Sequence, residues 1–325
     1  MTANLEKFVT AMNRLGEKNV PFVFIIDYEM NNPIILPLEE AAKSGIYFSI
    51  KGQRNFTGTI TEEQLLLFTK NPIDYSSYQI AFEKVIRQIQ LGNTFLLNLT
   101  FPKEIKTNWG LRRIFEKSNA PYRLLYKDQF VLFSPESFVK IANGSISSYP
   151  MKGTIDASVA NAAEVLLSDE KEKAEHATIV DLIRNDLSMV AQKVTVRRYR
   201  YLEEVVAHDK TLLQVSSEIT GVLPEDHQSN LGTILTKLLP AGSICGAPKT
   251  STLKIIKETE DYHRGYYTGV FGIFDGENLD SAVMIRYIEQ SEGKFFYKSG
   301  GGITYHSDPE KEYRELIDKV YVPTY

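Results

Sequence analysis

Tyr122-Arg-Leu-Leu-Tyr126, Phe130-Val-Leu-Phe133 and Phe138-Val-Lys-Ile141, with Asn143-Gly144 directly behind them, decide how this chain folds. Short runs of aromatic and branched residues, broken by polar or turn-forming residues, read as strands. Asn-Gly is a tight-hairpin signal because both residues tolerate positive φ. Upstream, Leu5, Phe8, Val9, Met12 and Leu15 recur at helical spacing and Gly16 stops them. Strand-like runs follow at Phe22–Ile26 and Ile46–Ile50, then a helix over Tyr75–Leu91, a strand over Thr94–Phe101 and a short helix around Leu111–Lys117. Downstream, 158–190 reads as helix in two pieces, with strands at Val194–Val206 and Leu212–Ile219. Helices are expected at Ser229–Leu239 and Pro248–Glu258, two long strands around Asp275-Gly276, a strand near Phe295–Lys298 and a closing helix at Pro309–Val320. Strands come in groups, without strict strand–helix alternation, so the reading is α+β with antiparallel sheets. No linker rich in Pro, Gly or Ser interrupts the chain, and a single large domain over 1–325 is expected.

Of the 325 residues 43% are apolar and 24% charged, a core-forming composition rather than a disordered one. Lys plus Arg number 37 against 41 Asp plus Glu, and a net charge of −4 argues against a nucleic-acid partner. Apolar runs such as Phe22–Ile26 are too short to span a bilayer. The first residues lack the basic and apolar pattern of a secretory leader. One cysteine, Cys245, can form neither an intrachain disulfide nor a Cys-based zinc cage. A cytoplasmic enzyme is the expectation.

Ile179, Ile183, Leu187 and Val190 form one helical stripe that, extended backwards, meets Glu172 and Glu175. Carboxylates on an inward face are costly unless neutralised, although a helix end protruding into solvent would explain them too. The closing helix repeats the pattern with Glu312 and Glu315, and Lys319 stands four residues beyond Glu315, where a surface ion pair is the plain alternative. Two Glu-x-x-Glu faces are hard-oxygen donors of the kind that suit Mg²⁺. Glycine-rich turns at 240–249, 299–303 and Pro150–Thr154 could bring backbone N–H groups to an anion, or simply turn the chain.

Read in order, Ser134-Pro-Glu136, Pro150-Met-Lys-Gly-Thr154, the run from Glu175 to Leu187 and the Pro240–Lys249 loop are followed by Arg264-Gly-Tyr-Tyr-Thr-Gly269. Met284-Ile-Arg286, Gly300-Gly-Gly-Ile303 and the run from Ser307 to Glu315 complete the series. Over about Gly92 to Lys319 this closely resembles the chorismate-utilising enzymes, which include anthranilate, aminodeoxychorismate, isochorismate and salicylate synthases. The resemblance implies one α+β domain of two face-packed antiparallel sheets with helices outside, with 92–325 as catalytic core and 1–91 as a shortened amino-terminal part. It implies that Glu175 and Glu315 ligate Mg²⁺ while Glu172 and Glu312 hold its waters. Gly153, Thr154 and Lys319 would assist the metal in taking the ring carboxylate of chorismate. Tyr267, Arg286 and the backbone of Gly300, Gly301 and Gly302 would hold the enolpyruvyl carboxylate, and Glu136 would protonate the departing C4 hydroxyl.

Within the family, Lys152 points to the aminodeoxychorismate branch that leads to 4-aminobenzoate and folate, since the anthranilate and isochorismate branches typically carry Ala there. The lysine would attack C2 as the C4 hydroxyl leaves, and ammonia would then enter at C4 and expel it. That requires a neutral amine, and desolvation beside a metal is expected to depress its pKa. Cys245 reads as a small buried residue, so ammonia is expected from a separate glutamine amidotransferase subunit. Gln214 stands where many relatives carry a His linked to pyruvate elimination, and the Leu-Leu-Glu-Ser segment of tryptophan-regulated relatives is missing. Anthranilate synthase component I is the alternative reading; a catalytically silent binding subunit is a third.

Overall fold

β1 (Phe22–Ile26) shows the logic of the architecture, because all five of its side chains are buried. Val23 and Ile25 enter one apolar cluster and Phe22, Phe24 and Ile26 another, as strand alternation requires of a strand covered on both faces. The computed structural model describes residues 2–206 and 211–324, the side chains of Lys171, Val205 and Val206 excepted.

β1 belongs to a nine-stranded antiparallel sheet. Its order is β11 (Met151–Asp156), β13 (Thr211–Val222), β10 (Ser145–Ser148), β9 (Ser137–Ala142), β16 (Leu279–Val283), β15 (Val270–Phe274), β1 and β2 (Ile34–Pro37), with β12 (Gln192–Val206) on β13. A second nine-stranded sheet runs β14 (Gly246–Ala247), β6 (Leu96–Thr107), β18 (Lys294–Thr304), β17 (Tyr287–Ser291), β8 (Phe130–Ser134), β7 (Tyr122–Tyr126), β3 (Ile46–Ile50) and β4 (Gln53–Arg54), with β5 (Phe68–Lys70) on β6. Val23, Ile25, Phe271 and Ile273 of the first sheet share a buried cluster with Phe48, Leu124, Phe130 and Leu132 of the second, so the sheets pack face to face.

The outer face of the first sheet is covered by α1 (Ala3–Glu17), α5 (Glu170–Ser188) and α6 (Leu231–Leu238), which contribute Phe8, Ile183 and Leu235 to one cluster. α2 (Tyr75–Gln90), α8 (Lys249–Thr259) and α9 (Pro309–Asp318) cover one end of the second sheet, and α3 (Leu111–Lys117) covers the other. The short α4 (Ala162–Ser168) and α7 (Gly242–Cys245) complete the helices of the described residues. The expected α+β class and antiparallel two-sheet architecture hold. The amino-terminal part is woven into both sheets, through β1 between β15 and β2 and through β3 beside β7.

Some local expectations fail for identifiable reasons. The glycines at 300–302 do not turn: they continue β18 to Thr304, paired in register with β6. Space explains Gly300, where a methyl group would meet Thr100 Cγ2 at 2.5 Å and Leu99 O at 2.6 Å, whereas one on Gly301 would meet nothing closer than Glu312 Oε2 at 3.6 Å. Pro150–Thr154 is likewise the start of β11, with Gly153 at φ +80° and a break in register between Met151 and Thr154. β6 runs six residues past its expected end at Phe101. β2, β4, β5 and β17 went unread because they are short, or carry Pro or polar residues. The strands flanking Asp275-Gly276 have only five residues each.

Behind β6 lies a buried ion pair. Arg264 gives two hydrogen bonds to Glu260 (2.7 and 2.8 Å), with side-chain exposures of 1% and 2%. Its remaining donors reach the carbonyls of Ile244 (3.0 Å) and Asn98 (2.7 Å), while Glu260 accepts from the Thr100 amide and hydroxyl. Glu260→Ala would strand a buried guanidinium, a loss of about 3–5 kcal/mol. Urea unfolding of the variant checks this, and a wild-type midpoint would show the pair contributes nothing.

Candidate active site

A cleft of about 970 Å³ opens between the sheets, bordered by β6, β11, β18, α5 and α9. Lys152, Glu136, Gly153, Thr154, Tyr267, Arg286, Gly300, Gly302, Lys319, Glu172, Glu175, Glu312 and Glu315 all line it, drawn from segments far apart in sequence. Gly301 is the one candidate outside the lining, and the ladder explains why. β17 pairs with β18 only as far as Lys298, so from Ser299 onward that edge of β18 has no strand partner among the described residues. The Gly300 carbonyl accepts from Lys319 Nζ (3.0 Å) across this free edge. In a strand the N–H and C=O of one residue point the same way and alternate along the chain. The amides of Gly300 and Gly302 therefore face the cleft, and that of Gly301 faces β6.

α5 is capped by Asp169 and buries Ile179, Ile183 and Leu187, which turns Glu175 inward at 6% exposure. Glu175 Oε2 lies 2.5 Å from Lys152 Nζ, which also approaches Gly302: a methyl group there would sit 3.8 Å from the ammonium. A methyl group on Gly153 would lie 3.4 Å from Glu172 Oε2, so the bulge brings the β11 backbone against α5. On the facing wall α9 starts at Asp308, whose side chain caps Lys311 N (2.9 Å). Glu312 is buried and accepts from Ser307 Oγ (2.8 Å), whereas Glu315 is half-exposed and pairs with Lys319 at 2.6 Å. Buried Lys103 anchors this helix by donating to Leu316 O (2.8 Å) and Ser299 Oγ (3.2 Å). Burial, then the charges of Lys70 and Lys319, push the Lys103 amine down to about 7.

The charge state of Lys152 depends on what the neighbouring carboxylates hold. Burial pushes its pKa down, but Glu175, Glu172 and Glu315 outweigh burial and raise it above the usual lysine value. Without a competing cation at those carboxylates, the amine is held as an ammonium. Glu136 moves the other way from an ordinary carboxylate. Burial raises its pKa against the opposing pull of Ser243, Lys319, Lys152 and Arg286, the direction an acid catalyst needs. Its carboxylate accepts from Ser243 Oγ at 2.5 Å. Arg286, at φ +53°, donates to Lys319 O (2.9 Å), lies over the Tyr321 ring and makes no ion pair with a carboxylate among the described residues. Tyr267 is buried beside it, and burial raises its phenol. Cys245 is fully buried and its thiol is raised to about 11, which suits a packing residue and not a nucleophile. Gln214 lines the cleft on β13, in register with Thr154.

Sequence reasoning missed Ser243 and Asn98. Ser243 lies in the glycine-rich loop already noted, but nothing local marks it as the partner of Glu136. Among the described residues no three acidic, His or Cys side chains form a ready-made metal cage. The carboxylates line the cleft as two pairs from α5 and α9, hard-oxygen donors matched to a metal that takes one or two protein ligands and keeps its waters.

The family model described as chorismate binding enzyme matches residues 38–324, and the chain belongs to that family. It is 52% identical to an uncharacterized PabA-like protein of Pasteurella multocida, over 98% of this chain and 99% of that one. It is 30% identical to aminodeoxychorismate synthase component 1 of Bacillus subtilis and 32% identical to anthranilate synthase component 1 of Aquifex aeolicus. Those matches cover 77% and 82% of this chain, but only 55% and 53% of the two enzymes. In fold it is similar to a putative 2,3-dihydroxybenzoate-specific isochorismate synthase of Bacillus anthracis, with TM-score 0.72, 20% identity, and coverage of 97% of this chain and 86% of that one. No helix among the described residues is long and apolar enough to cross a membrane.

The Ser243 bond makes a prediction independent of function. A hydrogen bond to a charged group is worth ~1.5–3 kcal/mol, and a pKa unit is about 1.4 kcal/mol. Ser243→Ala should therefore raise the Glu136 pKa further, by about one to two units. Carboxyl-labelled NMR titration reads this directly, and an unchanged or lowered midpoint would show that the hydroxyl does not stabilise the carboxylate.

Proposed function

We propose that this protein is the chorismate-converting component of an aminodeoxychorismate synthase, which makes 4-amino-4-deoxychorismate from chorismate and ammonia. The observation that carries the reading is Lys152, projecting from the β11 bulge into the cleft between the α5 carboxylates and the open edge of β18. A dianionic substrate suits the walls: Arg286 has no carboxylate partner among the described residues, Lys319 stands beside it, and the Gly300 and Gly302 amides face inward. Arg286, Tyr267 and these amides would take the enolpyruvyl carboxylate, and the Gly153–Thr154 backbone with Lys319 would border the ring carboxylate.

Glu175 and Glu315 would hold Mg²⁺, with Glu172 and Glu312 on its waters. The ion would supply the positive charge that balances the ring carboxylate against four glutamates. With Glu175 so engaged, Lys152 would lose its counter-charge and could give up its proton. The neutral amine then forms a bond to C2 and becomes a secondary ammonium, both ring double bonds shift by one position, and the C4 hydroxyl leaves as water with the proton of Glu136. Ammonia attacks C4, both double bonds shift back and Lys152 departs as the free amine. Buried Cys245 supports a separate glutamine amidotransferase as the ammonia source.

Two experiments test this. Chorismate and Mg²⁺ without ammonia should leave a covalent adduct on the peptide containing Lys152, heavier by chorismate less one water, and Lys152→Ala should yield neither adduct nor 4-amino product. Anthranilate from the wild type, the outcome in line with the Aquifex relative, would replace this reading, and normal 4-amino product from the alanine variant would exclude the covalent route. For the metal, Glu315→Ala or excess EDTA should abolish turnover while the unfolding transition stays in place, and calorimetric Mg²⁺ binding should be lost in the variant. Full activity in EDTA would remove Mg²⁺ from the scheme.

A further inference from the structure

The mouth of the cleft carries a feature that the proposed chemistry leaves unused. A second cleft of about 420 Å³, open to solvent, shares Arg286, Glu315, Lys319 and Tyr321 with the inner cavity, so the two adjoin along these four side chains. It adds Lys311, Arg314 and Asp318, which recur three and four residues apart along the exposed side of α9. Its lining holds four cations against two carboxylates on a chain whose net charge is −4, a local reversal of sign. Lys311 makes no ion pair among the described residues. Arg314 reaches only Glu310, at 3.4 Å with both side chains largely exposed, a pair worth little in water. Both cations therefore border the slot without a buried counter-charge.

We propose that this slot is the vestibule by which the substrate enters, and that Lys311 and Arg314 draw a dianionic dicarboxylate toward the inner cleft without touching it once bound. The inference rests on chorismate being the substrate. Charge focused at a low-dielectric mouth raises local substrate concentration by about tenfold or more, and salt removes the effect as the Debye length falls from ~30 Å at 0.01 M to ~3 Å at 1 M.

The test is a steady-state series on the full chain with chorismate, saturating Mg²⁺ and ammonium, across that range of ionic strength, for wild type, Lys311→Gln, Arg314→Gln and the double variant. Lys254→Gln, on the exposed side of α8, controls for loss of a surface charge. At low salt the double variant should show a KM about three- to tenfold above wild type with kcat unchanged, and the gap should close at high salt. The control should follow wild type throughout. Normal wild-type turnover with parallel salt responses in all variants would overturn the vestibule alone. A KM increase that persists at high salt would make the two residues contacts of the bound state and overturn steering. Wild type that neither turns over chorismate nor binds it by calorimetry would sink the functional reading and this inference with it.

Discussion

Glu260 and Arg264, one turn apart where α8 ends, form a pair that water does not reach, and both walls of the cleft are hung from it. Burying two charges costs several kcal/mol each unless every remaining hydrogen-bonding site is filled. Here the carboxylate also holds the Thr100 amide and hydroxyl, and the guanidinium holds the carbonyls of Asn98 and Ile244. Asn98 and Thr100 flank Leu99, the register partner of Gly301, so the pair braces β6 directly behind the glycine strand. Ile244 follows Ser243, so the same guanidinium sets the loop that holds Glu136. One ion pair thus fixes the cleft-facing amides and the candidate acid relative to each other.

A second constraint is geometric. A nine-stranded sheet has few places where backbone amides can face a ligand, because both ladder edges of an inner strand are used. β18 creates such a place by parting from β17 after Lys298 while staying on β6. At position 300 glycine is needed for clearance from Thr100 and Leu99 rather than for an unusual φ. Lys319 uses one exposed carbonyl and neutralises Glu315, so the free edge and the α9 carboxylates are tied by one side chain.

What could be read from the sequence follows from how local the cause is. The inward turn of Glu175 was legible because the periodicity of Ile179, Ile183 and Leu187 extends to it, and the start of α9 because Asp308-Pro309 acts within one turn. Gly300 has no local signal of its role, because the crowding that requires it comes from Thr100, two hundred residues away in the chain. The charge of Lys152 is equally non-local. Desolvation is a local expectation, but three carboxylates from two helices decide the sign. Ser243 had no local signal at all, since its partner is set by the clamp behind it. β17 escaped notice because Glu289-Gln290-Ser291 has no apolar alternation, although Tyr287 and Ile288 are buried between β8 and β18.

The placement of Lys152 separates chemistry from stability. Its stem leaves β11 at an irregular register and borders the cleft, with 28% of the side chain exposed, instead of filling the apolar space between the sheets. A shorter side chain there would enlarge a solvent-connected cleft and leave no sealed cavity, so the large penalty of core truncation does not apply. What would change is electrostatic: buried Glu175 would lose the ammonium that stands 2.5 Å from it. A fold built this way can hold its carboxylate walls, glycine edge and Arg264–Glu260 brace fixed while one position on β11 decides whether an amine stands beside the substrate.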